Sequence, residues 1–188
     1  MSITAASIPG YKAGTWNIDP THSSVGFSVR HLMISKVKGT FDTFQATFTT
    51  GENPLDTTVS AHADVASINT NEAGRDEHLR TNDFFEAEKF PQISFVSKTV
   101  KVKDAEDGEF IVTGDLTIKG VTKTVDFDFE FGGFATDPYG NYKAAATAEA
   151  EINREDFGLS WNAALETGGV LVGEKVKITI DLQAVLAN

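Results

Sequence analysis

The sequence contains no cysteine. Disulfide bonds, zinc–thiolate centres and cysteine nucleophiles are therefore excluded. The GxSxG, P-loop, GxGxxG and HExxH patterns are also missing, so no motif for nucleophilic, nucleotide or metalloprotease chemistry is present. From these absences we expect no catalytic residues, no metal and no cofactor, and therefore a protein that is not an enzyme.

Basic residues are scarce. The chain has 16 Lys and Arg against 27 Asp and Glu, which gives a net charge of -11. Such a surface repels phosphate backbones and anionic lipid headgroups at long range, so we expect no nucleic-acid partner and no electrostatic docking of the protein on a bilayer. No segment approaches the roughly 20 apolar residues of a membrane-spanning helix, so we also expect no membrane insertion. The N-terminal stretch MSITAASIPGYKAG lacks the basic start and apolar run of a secretory signal, which favours a cytoplasmic location.

Phenylalanine is abundant, with 14 residues against 2 Trp and 3 Tyr. In the stretch VDFDFEFGGF, residues 125–134, phenylalanine occupies every second position from Phe127 to Phe131. A β-strand points successive side chains to opposite faces. The intervening Asp126, Asp128 and Glu130 are therefore expected in solvent, with the phenylalanines inside.

Eight segments show this alternation of apolar and polar residues, which predicts eight strands. Short turns, such as the one at Gly120, make neighbouring strands antiparallel. A change of parity between Phe41 and Phe44 predicts a β-bulge, and the pair Gly132 and Gly133 predicts a bend or a bulge. The segments are HSSVGFSVRHL, GTFDTFQATFTT, TTVSAHADVASI, QISFVSKTVKVK, EFIVTGDLTIKG, the run 121–136, YKAAATAEAEI and EKVKITIDLQAV.

The segment NEAGRDEHLRTNDFF lacks this alternation. We predict a short helix near Glu72–Thr81, capped by Asn69 or Asn71 and supported by an i,i+4 pair of Asp76 and Arg80. The stretch WNAALETGG predicts one more helical turn.

Eight antiparallel strands in one domain favour a closed barrel, whose interior is either filled by side chains or wide enough for one slender ligand. The alanines of YKAAATAEAEI leave space beside the phenylalanine walls, which favours a hollow barrel. The alternative is that alanine and phenylalanine volumes balance and the barrel is filled.

Several motifs together carry a resemblance to a known family: WNIDPTHSSVGFSVRHLMISKVKGTF, RDEHLRTNDFFEAEKFPQISFVS, GDLTIKGVTKTVDFDFEF and NREDFGLSWN. They resemble the YceI-like family of bacterial lipid-binding proteins over nearly the whole chain. The resemblance implies an all-β fold, an elongated eight-stranded antiparallel lipocalin-like barrel with a short helical crossover. It also implies a polyisoprenoid or fatty-acid-type lipid in the interior. The expected division is an N-terminal tail, 1–14, and a YceI-like lipid-binding barrel domain, 15–188.

Alternation, rather than the resemblance, selects the candidate ligand-binding residues. They are the inward-facing residues of four strands and two residues of the crossover: Phe27, Val29, His31, Phe95, Phe127, Phe129, Phe131, Ala146, Ala148, Arg75 and His78. His31 either meets a lipid headgroup or is a buried histidine bonded to backbone. Arg75 and His78 belong either to a polar lip for a headgroup or to a salt-bridged structural corner. Arg154 and Asp156 are expected to form an ion pair that fixes a turn.

The function expected from these features is binding and transport, or sequestration, of a long-chain polyisoprenoid or another apolar lipid. One alternative is an accessory role in an isoprenoid- or quinone-linked redox or stress response. Another is a structural protein with a filled barrel. A homodimer is compatible with the sequence.

Overall fold

The structure is a computed structural model that describes residues 3–188, so the first two residues of the predicted tail 1–14 lie outside the described residues. This part of the chain forms eleven β-strands and one α-helix, with short 3-10 turns between some of them. The elements are β1 (Gly14–Ile18), β2 (Ser24–His31), β3 (Ser35–Phe41), β4 (Phe44–Thr50), β5 (Thr58–Asp64), β6 (Ile68–Asn69), α1 (Ala73–Arg80), β7 (Gln92–Asp104), β8 (Glu109–Ile118), β9 (Val121–Thr136), β10 (Tyr142–Asn153) and β11 (Val172–Leu186).

Eight of these strands close into an antiparallel barrel. The order around the ring is β1-β4-β5-β7-β8-β9-β10-β11, and β1 pairs with β11 to complete it. Closure leaves no free edge along this ring, which removes the aggregation risk of an open sheet. The eight-stranded barrel with a short helical crossover predicted from the sequence is confirmed.

One strand was not predicted, and one predicted strand is split into two pieces. β1 precedes the predicted segment HSSVGFSVRHL, which forms β2. Both strands pair with β11, one after the other, and a 3-10 turn at Pro20–His22 separates them. β3 ends at Phe41 and β4 begins at Phe44, and both phenylalanines are buried. The parity change between these two residues therefore marks a break between two strands and not the predicted bulge.

The run from Val121 to Thr136 forms one unbroken strand, as its alternation predicts. Opposite it, Ala145 pairs with Gly133 and Ala146 pairs with Phe131. Gly132 has no partner in this register and is the extra residue of a β-bulge. The bulge restores the alternation, so that Phe131 and Phe134 both face inward.

Helix α1 begins after Glu72, whose carboxylate accepts hydrogen bonds from the backbone N–H groups of Gly74 and Arg75. The prediction that Asn69 or Asn71 caps the helix was wrong. Asn71 instead adopts a left-handed conformation, with φ of 62°, which asparagine tolerates better than most residues. The helix is too short and polar to cross a bilayer, and no other described segment forms a helix that could.

The predicted helical turn in WNAALETGG was also wrong. Residues 161–169 form an irregular loop closed by a single β-bridge between Ala164 and Val170. Gly168 donates a backbone hydrogen bond to Leu165, which makes a tight turn rather than a helix. Two consecutive glycines with positive φ, Gly168 and Gly169, direct the chain back towards β11.

The barrel has two different ends. At one end lie α1, the hairpin loop between β2 and β3, and the loop 158–171; we call this the helix end. At the other, residues 3–13 pack across the barrel; we call this the N-terminal end. There Tyr11 donates to the carbonyl of Gly51, and Tyr142 donates to the carbonyl of Gly10.

Candidate functional site

The barrel interior is not filled. A cavity of about 370 Å³ occupies the half towards the helix end, a size within the roughly 300–1,000 Å³ of small-molecule binding sites. Its walls come from nearly every strand of the barrel and from α1, and most of its lining residues are apolar. The structure therefore favours the hollow barrel over the filled one.

A second, smaller cavity of about 130 Å³ continues towards the N-terminal end. Its cover consists of Ile8, Tyr11 and Lys12 from the N-terminal segment. Five residues line both cavities and form the constriction between them: Phe48, Val59, Val112, Phe129 and Leu182. The two cavities thus lie in line along the barrel, an arrangement that suits a linear molecule.

Aromatic rings form one wall of this interior. Phe95 and Phe127 meet edge to face with ring centroids 5.1 Å apart, a preferred geometry for an aromatic pair. Phe127 and Phe129 line the larger cavity, and Phe129 and Phe131 line the smaller one. The outward partners Asp126, Asp128 and Glu130 are all exposed, so the predicted parity of β9 is confirmed.

Alanines form the adjoining wall. On β10, Ala146 and Ala148 are buried and lie opposite Phe131 and Phe129 of β9. Ala148 lines the larger cavity and Ala146 the smaller one. A methyl group beside each ring leaves the volume that a leucine or isoleucine would occupy. The small side chains are therefore the reason that this part of the barrel is open.

Two strand glycines determine where the phenylalanine rings lie. A Cβ atom at Gly39 would come within 2.4 Å of the Phe27 ring, and one at Gly114 within 2.5 Å of the Phe95 ring. Both distances are shorter than any real carbon contact. The missing side chains let these rings lie flat against the barrel wall, which keeps the middle of the lumen clear. The sequence reasoning missed both glycines, although an isolated glycine within a strand often marks such a close approach.

The ionisable residues that line the larger cavity are all basic: Arg30, His31, His62, Arg75, His78 and Arg154. Within residues 3–188, no aspartate or glutamate lines either cavity, although the chain carries 27 of them. The charged residues that border the cavity are therefore arginines, whereas the protein as a whole has a net charge of -11. Five of the six basic residues lie at the helix end, and His62 on β5 is the other.

Arg75 is held by Thr70. Its Nε donates to the Thr70 hydroxyl at 2.7 Å and its Nη2 to the Thr70 carbonyl at 2.8 Å. The same hydroxyl donates to Asp76 at 2.5 Å, and Asp76 also accepts from the Thr70 backbone N–H at 2.8 Å. Threonine therefore links the guanidinium to a buried carboxylate while Nη1 makes no hydrogen bond within the described residues.

The predicted pair of Asp76 and Arg80 was wrong. Arg80 donates to the backbone carbonyls of Ala66 at 3.0 Å and Ile68 at 3.2 Å, and it does not line either cavity. Asp76 and Arg80 have the i,i+4 spacing of a helical ion pair. The buried backbone N–H of Thr70 requires an acceptor, however, and the Asp76 carboxylate accepts its hydrogen bond instead of pairing with Arg80. Arg80 has a structural role at this corner, whereas Arg75 faces the cavity.

His78 lies in an aromatic setting. Its ring is edge to face with Phe84 and with Trp161, at centroid distances of 5.2 and 4.9 Å, and its Nε2 lies 2.8 Å from a carboxylate oxygen of Asp83. Over residues 3–188, no group of three or more histidine and acidic side chains is arranged to hold a metal ion. His78 therefore presents an imidazole to the cavity with one carboxylate behind it.

His31 is half-buried and lines the larger cavity at the end of β2. Its ring makes no hydrogen bond to the protein in the part of the chain that the structure describes. The alternative of a buried histidine bonded to backbone is thus not what the geometry shows. Both ring nitrogens remain available to a ligand or to water.

Arg154 does not form the predicted ion pair with Asp156, which is exposed. The buried guanidinium donates instead to four backbone carbonyls, those of Leu159, Trp161, Val172 and Gly173. Burial lowers the pKa of this group below its usual value, and nearby Glu155 and Glu174 act in the opposite direction. Arg154 thereby ties the loop 158–171 to the start of β11.

The eleven candidate ligand-binding residues all line one or both cavities. The structure brings His31, Arg75 and His78 together at the helix end and distributes the apolar residues along the lumen. The larger cavity is also lined by Thr70, Arg154 and Trp161, which the sequence did not indicate as ligand-binding residues. Whether these residues contact a ligand remains a prediction.

Comparison with known proteins agrees with this fold. The model of the YceI-like domain matches residues 16–184. UPF0312 protein SAS2572 of Staphylococcus aureus is 42% identical over 165 residues, which cover 86% of this chain and 92% of that protein.

Solved structures give the same result. BcnA of Burkholderia cenocepacia superposes with a TM-score of 0.77 at 22% identity, covering 88% of this chain and 98% of that one. A polyisoprenoid-binding domain from Saccharophagus degradans, implicated in plant cell wall breakdown, superposes with a TM-score of 0.68 at 16% identity and covers 94% and 100% of the two chains. At these identities the two structures support the fold alone.

Proposed function

The chain belongs to the YceI-like domain family, and from this premise we propose that it binds a long-chain polyisoprenoid or a similar apolar lipid in the barrel lumen. The observation that carries the proposal is the pair of aligned cavities, about 370 and 130 Å³, between an aromatic wall and an alanine wall. In a barrel that is only a structural scaffold, we expect side chains to fill this space.

The energy of binding comes from burial of the apolar chain. Each CH₂ group moved from water into the lumen contributes about 0.8 kcal/mol, so ten buried groups contribute about 8 kcal/mol before the costs of ordering the chain. The constriction at Phe129 is lined by apolar side chains, so it suits the apolar tail of a lipid. A linear or prenyl chain therefore suits this lumen better than a compact metabolite.

The family context supports the ligand class. A structural neighbour of this chain is described as a polyisoprenoid-binding domain, and the two chains share the same fold. We extend that ligand class to this chain because Phe95, Phe127 and Ala148 provide the apolar walls here.

We place the polar end of the ligand at the helix end. An apolar tail in the lumen leaves its headgroup at a mouth, where hydrogen-bond donors are needed. Arg75 offers such a donor, because it keeps one nitrogen without a protein partner among residues 3–188, and the ring of His31 offers another. His78 has only its Nδ1 left for a ligand, since its Nε2 is bonded to Asp83. At the N-terminal end the lining offers mainly Lys12 and Tyr11, and Lys12 already lies over the Tyr142 ring at 3.9 Å.

A carrier or sequestering protein is the role that we propose, rather than an accessory in redox or stress chemistry. The cavity offers guanidinium and imidazole groups, which bind and neutralise charge, and the acidic outer surface keeps the loaded protein in solution. An accessory role in quinone-linked redox chemistry predicts instead that the retained lipid changes its oxidation state during a reaction cycle.

Native mass spectrometry of the purified protein tests the proposal, followed by organic extraction of any bound material. We expect a population heavier than the bare chain by the mass of a lipid, and the same lipid in the extract. Transfer of that lipid between two vesicle populations distinguishes a carrier from a sequestering protein. A protein that stays at its bare mass, even after incubation with polyprenols and fatty acids, would contradict lumen binding.

A further inference from the structure

The loop between β2 and β3 is an exposed apolar tip. Its three residues are Leu32, Met33 and Ile34, with exposed fractions of 39%, 52% and 84%. Val170 of the neighbouring loop adds another exposed apolar side chain, at 37%. Ile34 is the most exposed large aliphatic residue among those that the structure describes, so this tip presents apolar surface that the fold itself does not bury.

The backbone conformation of this loop does not favour the residue types that occupy it. Leu32 and Met33 have positive φ angles of 54° and 61°, a conformation that favours glycine or asparagine. Hairpin turns of this kind are usually built from those residues. The chain instead retains large apolar side chains where turn geometry disfavours them, and local strain of this type concentrates at binding surfaces.

Basic residues flank the tip. Arg30 on β2 pairs directly with Lys36 on β3, an arrangement in which like charges repel each other. Together with Lys38 they are exposed, and within residues 3–188 none of the three forms a salt bridge. On the adjacent β11, by contrast, Lys175 and Lys177 are paired with Glu151 and Glu149.

This local charge differs from that of the whole chain. The segment 22–41 contains no aspartate or glutamate, although the net charge of the protein is -11. At about 0.1 M salt, charges more than about 10 Å away are largely screened. A surface that meets only the hairpin therefore encounters positive charge, although α1 and the loop 158–171 at the same end carry exposed carboxylates, among them Glu77 and Glu166.

The tip is continuous with the mouth of the larger cavity. Leu32 donates its backbone N–H to the carbonyl of Leu171 at 2.9 Å. Arg30, His31 and Leu171 all line the cavity. Whatever the tip contacts is therefore adjacent to the opening through which an apolar ligand would pass.

We propose that this hairpin is a docking surface for an anionic phospholipid bilayer. Leu32, Met33 and Ile34 enter the interface between headgroups and acyl chains, and Arg30, Lys36 and Lys38 face the lipid phosphates. Docking in this orientation places the cavity mouth against the bilayer. The contact is shallow and reversible, and it does not depend on which lipid occupies the lumen.

Vesicle flotation tests the proposal with the full chain. The vesicles are phosphatidylcholine alone, or phosphatidylcholine mixed with phosphatidylglycerol, at low and at high salt. We expect binding to the anionic vesicles that weakens with salt. Ile34→Asp lowers the binding constant about tenfold or more, and Lys36→Glu lowers it about fivefold or more. Tyr139→Asp is the matched control, since Tyr139 is 89% exposed at the opposite end and its substitution should change nothing.

Two results would overturn the proposal. One is a wild-type protein that does not bind anionic vesicles at low salt. The other is equal loss of binding in Ile34→Asp and Tyr139→Asp. Light scattering adds a further check: a wild-type dimer that Ile34→Asp converts to monomer, without vesicle binding, would assign the tip to a second copy of the chain. Lipid retention, measured by native mass spectrometry in the same variants, should remain unchanged, which separates docking from lumen binding.

Discussion

Ala148 on β10 lies directly opposite Phe129 on β9, so a methyl group and an aromatic ring stand side by side on the inner wall of the barrel. Both residues line the larger cavity. The difference in size between the two side chains is what leaves space at this level of the lumen. A larger residue at position 148 would remove that space without altering the strands.

Ala148→Phe should therefore block lipid binding while the protein still folds. The new ring enters the cavity, so the strain of about 1–3 kcal/mol that overpacking causes in a filled core should be largely absent. Ala146→Phe should act in the same way on the smaller cavity. Lipid retention by native mass spectrometry and thermal unfolding by circular dichroism together measure both effects.

Thr147→Phe is the matched control for these variants, because Thr147 is exposed on the same strand and points away from the lumen. It should retain the lipid. A sharp loss of stability in Ala146→Phe and Ala148→Phe, with lipid retention intact, would show that the binding space lies elsewhere.

Arg75→Ala should weaken a phosphorylated isoprenoid by about 1.5–3 kcal/mol, the value of a hydrogen bond to a charged group. His78→Ala should weaken it as well, and a neutral quinone should be affected much less. Competition between wild-type and variant proteins for a labelled prenyl phosphate, with circular dichroism to confirm the fold, measures this difference.

Arg80→Ala separates headgroup binding from the structural corner. Arg80 lies two residues after His78 on α1 and donates only to the carbonyls of Ala66 and Ile68. Its loss should lower stability and leave affinity unchanged. If Arg75→Ala and His78→Ala behave like Arg80→Ala, the whole cluster is a structural corner.

Arg154→Met should destabilise the protein by about 3 kcal/mol or more, because four carbonyl groups around a buried site lose their donor. Asp156→Asn should change stability by no more than about 0.5 kcal/mol, as is usual for an exposed substitution. Urea denaturation measures both free energies of unfolding. Equal losses in the two variants would instead support the ion pair expected from the sequence.

Asp19 should contribute stability that is lost in acid. Its carboxylate lies 2.9 Å from the ammonium group of Lys143, and this contact, followed by the Thr21 hydroxyl, holds the pKa of Asp19 well below its ordinary value of 3.8. Because the folded pKa is depressed, the stabilisation is complete above the ordinary value and declines as the pH falls through the folded one.

Asp19→Asn should accordingly cost about 1–2 kcal/mol at neutral pH, the range for a charged hydrogen bond at a partly solvated site. It should also flatten the loss of stability below about pH 4. Asp181→Asn is the control, since Asp181 is exposed and forms no salt bridge within residues 3–188. A steep acid dependence that persists in Asp19→Asn would rule out this carboxylate as its source.

Much of the barrel follows from local alternation in the sequence. The run 121–136 alternates clearly from Val125 to Phe131, and β9 has the bounds of the run, with the bulge at the paired glycines. Strand periodicity is a property of neighbouring residues, so it can be read without knowledge of the fold.

The polar contacts at the helix end could not be predicted in the same way. Asp76 has the correct spacing to pair with Arg80, but the buried backbone of Thr70 captures it. The guanidinium of Arg154 donates hydrogen bonds to backbone carbonyl groups of residues 159–173. Because every residue has a backbone carbonyl, the side-chain pattern of the sequence does not predict these contacts. The tertiary structure determines which acceptor each buried donor binds, and residue spacing in the sequence does not show which acceptor that is.

The orientation of a lipid in the lumen can be measured directly with the two tryptophans of the protein. Trp161 lines the larger cavity at the helix end, and Trp16 lines the smaller cavity near the N-terminal end. Trp16→Phe and Trp161→Phe each leave one fluorophore, which a brominated fatty acid quenches on contact. Bromine near the headgroup should quench Trp161, and bromine at the far end of the tail should quench Trp16. Equal quenching of both residues from either position, or none at all, would contradict a lipid tail aligned along the lumen with its headgroup at the helix end.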